Sequence, residues 1–152
     1  MNGYLENNLP DLVVIVPVYN EEKILLELYA RLTKAAKQVS ENYRILFIND
    51  GSNDASMEVI LTFAAHDENV DYIDLSRNFG HQQAVSAGLD AVEGKAVVII
   101  DGDLQDPPEL IPQLYIEYKK GYDVVYAQRK RREGESVFKL WTAKLFYRLL
   151  RS

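Results

Sequence analysis

Cysteine is absent from the 152 residues. That excludes disulfides and thiolate metal ligands, and it suits a reducing compartment. Histidine occurs only at positions 66 and 81, too few to build a zinc centre on imidazoles. No apolar run approaches the roughly 20 residues that cross a bilayer, and the opening MNGYLENNLPD is too polar for a signal peptide. The expectation is a chain that is soluble or lies on a surface. A third absence concerns the turn after the first apolar run, Tyr19-Asn20-Glu21-Glu22, which holds no glycine. It is therefore neither the dinucleotide fingerprint nor a phosphate loop, and a diphosphate bound here needs a cation in place of a glycine cradle.

What is present alternates between two periodicities. Residues 12–18 (LVVIVPV), 43–50 (YRILFIND), 70–75 (VDYIDL), 95–101 (KAVVIID) and 123–127 (DVVYA) are short β-rich runs that predict five strands. Between them Ile24, Leu28, Leu32, Ala35 and Val39 keep helical spacing, and so do Met57, Ile60, Leu61 and Ala64. Ala84, Ala87, Gly88 and Ala91 make a small-residue face suited to close packing on a sheet, and Leu110, Leu114 and Tyr118 repeat every four residues. Strands joined by helical crossovers predict an α/β fold, a mainly parallel sheet with helices on both faces. At this length one domain is expected, divided into an extension (1–11), a core (12–128) and a basic loop with an amphipathic helix (129–152).

Charge is unevenly placed. Residues 129–152 carry eight Lys or Arg against Glu133 and Glu135, so this tail is at +6 while the first 128 residues are at −12. A basic tail on an acidic body points to an anionic partner, with a solvated helix face as the plain alternative. In residues 136–152 Phe138, Trp141, Leu145 and Leu149 share one face, an arrangement suited either to an anionic interface or to packing on the sheet. If that face stays exposed it favours a homo-oligomer. The basic residues lack interleaved stacking aromatics, so no nucleic-acid site is expected.

Ligands of such sheets bind beyond the carboxyl ends of the strands. Every one of the five ends is polar, and the fourth runs VVIIDGDLQDPP, with aspartates at 101, 103 and 106. Side chains at i and i+2 of an extended segment share a face, so Asp101 and Asp103 can converge on one cation, and Gly102 lets the backbone come close. Carboxylates suit Mg²⁺ or Mn²⁺, whose other ligands are water and substrate phosphates. Asp106-Pro107-Pro108-Glu109 also reads as a helix start with Asp106 as N-cap, and Asn20 and Asp54 are candidate caps of the helices after them. Asp50-Gly51 is either a tight turn or a strand-end carboxylate placed to accept hydrogen bonds from a ribose or base. His81, beside Gly80, reads as a solvent-facing or capping residue.

Five stretches, VVIVPVYNEE, LFINDGSNDAS, SRNFGHQQAVSAGLD, DGDLQDPPELIP and VVYAQRKRREGES, resemble the nucleotide-sugar-binding half of inverting family 2 glycosyltransferases with the GT-A fold. Among these the chain is most similar to the polyprenyl-phosphate hexosyltransferases, the group of bactoprenol glucosyltransferase and dolichol-phosphate mannosyltransferase. The resemblance implies transfer of a hexose from a UDP- or GDP-sugar to a polyprenyl phosphate, with UDP-glucose the leading donor and GDP-mannose second. It implies a nucleotide site of Pro17, Tyr19, Asn20, Glu21, Asp50, Ser52, Asn78, Gln83, Asp101 and Gly102, and a metal on Asp101 and Asp103. Asp103, Gln105 and Asp106 would be the catalytic group, and Arg129 and Arg131 would meet the acceptor phosphate. The implied location is the cytoplasmic face of the cell membrane for a full-length protein, with this piece soluble or peripheral.

Such enzymes are longer than this chain, so a truncated form that binds donor and metal with little transfer is a second expectation. A family member using a sugar hydroxyl as acceptor is a third. A receiver-like signalling domain is disfavoured because Tyr19-Asn20 stands where it needs an acidic pair. A phosphohydrolase with an aspartate nucleophile would carry its D-x-D at the first strand, not the fourth.

Overall fold

A computed structural model of the chain describes residues 9–127. The order is β1 (Leu12–Val18), α1 (Leu25–Lys37), β2 (Tyr43–Asn49), α2 (Ser56–His66), β3 (Val70–Asp74), α3 (His81–Ala91), β4 (Val97–Ile99), a single 3₁₀ turn (Pro108–Leu110) and α4 (Ile111–Lys119). The four strands form one parallel sheet in the order β3-β2-β1-β4. β1 pairs with β2 along its whole length, Leu12 opposite Tyr43 through Val18 opposite Asn49, and with β4 only at Val13 to Ile15.

All seven residues of β1 are buried. An unbroken apolar run is what a strand covered on both faces requires, because its alternating side chains enter two separate cores. Leu12, Val14, Val16 and Val18 point into the larger core with Leu28 and Leu32 of α1, Ile60 and Phe63 of α2, and Ile111 of α4. Val13 and Ile15 meet Leu46, Ile48 and Ala84 on the opposite face, which α3 covers. Helices therefore lie on both faces of the sheet, as the alternation of elements predicts. Among the described residues no helix is long and apolar enough to cross a membrane.

Several local expectations are corrected. Asp123–Ala127 forms no strand, and Val124 and Tyr126 are each 80% exposed. A β-rich run becomes a strand only where a neighbouring edge accepts its backbone groups, and local preference does not supply that edge. In α2 the buried residues are Ser56, Ile60 and Phe63, with Leu61 exposed. On α3 only Ala84 and Gly88 are buried, and Ala91 is exposed. Gly88 fits because a Cβ there would lie 2.7 Å from Ile15 Cγ2 and 2.8 Å from Ile48 Cδ1. Asp106 is not the helix N-cap. Pro107, held extended at ψ 122° by the proline that follows it, occupies that position, so the turn begins only at Pro108. Residues 129–152, where a basic loop and an amphipathic helix are expected, lie outside the described residues.

Candidate donor-binding site

β1 ends at Val18, and the chain turns sharply outward at Asn20, which has a positive φ of 58°. Asparagine tolerates that conformation better than most residues. The turn is fixed by the loop that follows β2. Ser52 Oγ accepts the Asn20 amide at 3.0 Å, Asn20 Oδ1 accepts the Asn53 amide at 2.8 Å, and Ser56 Oγ accepts the Glu21 amide at 2.9 Å. The Glu22 amide donates to Asp54 Oδ2 at 3.2 Å, and Glu22 Oε2 in return accepts the Ala55 amide at 2.8 Å. Asp54 also accepts the Ser56 amide at 3.0 Å, but the N-cap position of α2 is Ala55, so Asp54 braces the entry to the helix from one residue before the expected cap. Asn20 serves the joint between the two loops rather than a cap of its own helix. The amides of residues 20 to 22 are thus committed to side chains of the neighbouring loop.

A second joint holds the third loop. Asp50 is 3% exposed, and its Oδ1 and Oδ2 accept the amides of Phe79 and Gly80 at 2.8 and 3.0 Å. Gly51 must be glycine here, with φ of +64° and only 2.3 Å between an added Cβ and the Arg77 carbonyl carbon. Behind it Asn49 donates to Asp74 Oδ1 at 2.7 Å and accepts the Ser52 amide at 3.1 Å, linking the ends of β2 and β3.

The fourth loop departs from the expectation of an extended D-x-D. β4 ends at Ile99, the backbone turns at Gly102 and Asp103, and Leu104 has a φ of 60°. Alternation along a strand therefore does not align Asp101 with Asp103, although both reach the same cleft. An added Cβ on Gly102 would stand 2.8 Å from the Pro17 carbonyl oxygen, so this loop rests directly on the end of β1. Asp103 Oδ1 accepts the Gln105 amide at 2.9 Å. Further on, Glu109 takes Arg31 of α1 in a two-pronged ion pair, Nε to Oε1 and Nη2 to Oε2, both 2.8 Å. Arg31 holds the Glu109 carboxyl well down, at about 2.

These loops enclose a cleft of about 340 Å³ lined by Pro17, Val18, Tyr19, Glu21, Asp50, Asn78, Gly80, His81, Asp101, Gly102 and Asp103. Eight of the residues singled out from sequence meet there. Asn20, Ser52, Gln83 and Gln105 are not on its wall, and Asp106 faces a separate recess of about 530 Å³ beside β4, whose lining is mostly apolar. Arg129 and Arg131 lie outside the described residues. Sequence reasoning read His81 as a solvent-facing or capping residue and not as part of the site, whereas it lines the cleft with its Nε2 3.6 Å from Asp101 Oδ1. Its place directly after Gly80, where a helix opens behind the third strand, fits either role, and only the meeting of the loops distinguishes them.

Electrostatically the cleft is acidic. Burial pushes the Glu21 carboxyl above its ordinary range, and the charges of Asp103 and Asp54 push it further. Among the described residues no group of three or more His, Asp or Glu side chains is placed, as the side chains stand, to hold a metal ion. The donor set instead fits an open site. Two carboxylates on a loop seated against β1 suit a hard divalent cation that takes its remaining ligands from phosphate and water.

The geometry has counterparts among known proteins. TarS 1–349 from S. aureus in complex with UDP-GlcNAc superposes with a TM-score of 0.60 at 22% identity, over 85% of this chain and 38% of that one. The mannosyltransferase PcManGT from Pyrobaculum calidifontis, in complex with GDP-Man and Mn²⁺, gives a TM-score of 0.56 at 22% identity, over 62% and 28%. At such identities these likenesses establish the GT-A fold and no more. In sequence the chain is 53% identical to the "Uncharacterized glycosyltransferase YkcC" of Bacillus subtilis (strain 168), over 90% of this chain and 42% of that protein. It is 41% identical to the undecaprenyl-phosphate 4-deoxy-4-formamido-L-arabinose transferase of Pseudomonas fluorescens (strain SBW25), over 87% and 39%. The chain thus spans less than half the length of these relatives. The sequence profile of Glycosyl transferase family 2 matches residues 13–151, nearly the whole chain, and with the parallel sheet and its strand-end cleft this places the protein in that family.

Proposed function

We propose that the cleft binds a nucleoside-diphosphate sugar with a divalent cation, and that the whole protein transfers the hexose to a polyprenyl phosphate with inversion. The observation that carries this reading is the meeting of Asp101 and Asp103 with Tyr19, Asp50 and Asn78 in one strand-end cleft. Asp101 and Asp103 hold the cation, Mg²⁺ or Mn²⁺, against the diphosphate. When bound, that ion acts as a Lewis acid and neutralises charge on the departing nucleoside diphosphate. Tyr19, 42% exposed at the rim, faces the nucleoside, and Asp50, whose carboxylate holds the Phe79 and Gly80 amides, fixes the third loop beside it. Committed amides at residues 20 to 22 cannot cradle the phosphates, which is why the ion is needed.

The acceptor reading rests on the printed name of the Pseudomonas relative, an undecaprenyl-phosphate transferase, and on the basic residues Arg129 and Arg131. A phosphate monoester has a second pKa of about 6 and is mostly dianionic at neutral pH, so this acceptor needs little help from a general base. Its oxygen attacks the anomeric carbon from the face opposite the departing diphosphate, and the sugar is inverted. UDP-glucose is the leading donor, GDP-mannose the second, and the tail of residues 129–152 the part that meets an anionic membrane surface.

Calorimetric titration of UDP and GDP with and without Mn²⁺ tests the donor site. Uptake that needs the ion and is lost in the Asp101→Ala, Asp103→Ala double variant is the expected result. Uptake indifferent to both would defeat the proposal. Incubating the full-length protein with labelled UDP-glucose or GDP-mannose and a polyprenyl phosphate then reads sugar and acceptor directly.

A further inference from the structure

Among the cleft side chains to which the proposed donor site gives no role is an imidazole, His81. His81 is the first residue of α3 and shares the cleft wall with Asp101 and Asp103. Its Nε2 is 3.6 Å from Asp101 Oδ1, and the two side chains are 56% and 46% exposed, so both are within reach of a ligand entering the cleft. That separation is too long for a hydrogen bond. It does suit two ligand atoms on a common ion, since metal–nitrogen and metal–oxygen bonds of about 2.1 Å span it with an angle of roughly 120° at the metal. A small swing of either exposed side chain closes that angle toward the right angle of an octahedral ion.

We propose that His81 Nε2 is a ligand of the donor-site cation, beside Asp101, and that it sets which ion the site prefers. This rests on the donor-site reading above and goes beyond it. Mg²⁺ keeps oxygen ligands and gains little from an imidazole. Divalent transition ions gain more, with affinity for nitrogen-containing sites rising from Mn²⁺ to Co²⁺. With few protein ligands in an open site, the identity of each one weighs heavily. Two carboxylates alone would make an all-oxygen seat, whereas a nitrogen beside them makes a mixed seat that ranks Co²⁺ over Mn²⁺ over Mg²⁺.

Calorimetric titrations of UDP and GDP into the 152-residue chain in the presence of Mg²⁺, Mn²⁺ or Co²⁺, with wild type, His81→Ala and His81→Gln, test the assignment. Both variants change an exposed side chain, and their melting temperatures serve as the folding control. Loss of the imidazole is expected to weaken Mn²⁺- and Co²⁺-supported nucleotide binding by about tenfold or more, while Mg²⁺-supported binding stays unchanged. Equal losses with all three ions, or no loss, would overturn it. A second measurement reads the nitrogen itself. Only two histidines exist, and His66, whose Nδ1 lies 2.8 Å from the Thr62 carbonyl oxygen, is an internal reference. Diamagnetic Cd²⁺, added without nucleotide, is expected to shift the ¹⁵N resonance of His81 Nε2 and leave His66 in place. A stationary His81 resonance overturns the assignment. Failure of wild type to take up either nucleotide with any ion would instead strike the donor-site reading, and the Cd²⁺ spectrum would then decide His81 alone.

Discussion

Glu109 is placed where it looks like part of a helix cap, yet its carboxylate reaches across to Arg31 and ties the loop that follows Asp101 and Asp103 to α1. The pairing lowers its proton affinity in the folded state, from the ordinary 4.5 to about 2. A carboxyl depressed on folding stabilises the protein above its unfolded pKa and loses that contribution as the pH falls through the folded one. Glu109→Gln should therefore lower the melting temperature at pH 7 by about 2 °C or less, since the pair is largely exposed. The difference from wild type should shrink between pH 4.5 and about 2. Melting curves across that window check it, and a gap that persists at the acid end would show that the carboxylate charge is not what matters. Glu21 has the opposite sign, because burial and its acidic neighbours make its ionised form costly. A cation held at Asp103, as proposed above, would relieve part of that cost. Little of this pairing was legible in the sequence. Arg31 and Glu109 are 78 residues apart, and no local pattern reports a contact of that range.

At the level of elements, the sequence's periodicities located the four α-helices and four strands of the described residues, but not which face of each element would be covered. In α2 the spacing of Met57, Ile60, Leu61 and Ala64 selects a stripe next to the true one. Phe63 is buried because Tyr29 stacks on it at 4.4 Å between centroids and Phe47 tilts against it at 5.9 Å. Tyr29 is in turn fixed by its hydroxyl donating to Asp67 at 2.7 Å, a bond that with burial pushes the phenol up to about 12. Removing the ring at the centre of this stack opens a cavity where α1, α2 and β2 meet. Phe63→Ala should cost about 3–5 kcal/mol in chemical denaturation. A loss below about 1 kcal/mol would mean that the neighbours collapse into the space. The 123–127 run marks the limit of reading elements one at a time, since its composition is that of a strand and its pairing is not.

For the molecule as a whole, the four loops at the carboxyl edge of the sheet are held by one another rather than by their own helices. Asp50 carries the third loop, Ser52 and Ser56 carry the first, and Pro17 supports the fourth. Such an edge is fixed before any ligand arrives, so binding should show as added stability with little reorganisation. At a nucleotide and Mn²⁺ concentration one hundredfold above the dissociation constant, linkage adds about 2.7 kcal/mol. A rise in melting temperature that a chelator reverses, and that the Asp101→Ala, Asp103→Ala variant lacks, is the expected outcome. A rise that survives chelation would place the nucleotide elsewhere.

The sequence by itself determined the alternation of strand and helix, the double-sided burial of β1, the glycine-free turn after the first strand and the acidic end of the fourth, because these depend on composition and on periods a few residues long. Only the tertiary structure decided which carboxylates stay available. It committed Asp50 to backbone amides and Glu109 to Arg31, left Asp101 and Asp103 lining the cleft, and set His81 beside Asp101. Those outcomes depend on loops that are distant along the chain and meet only when parallel strands align their ends. Hydrogen-bond partners are fixed by that meeting, and a one-dimensional pattern carries no record of it.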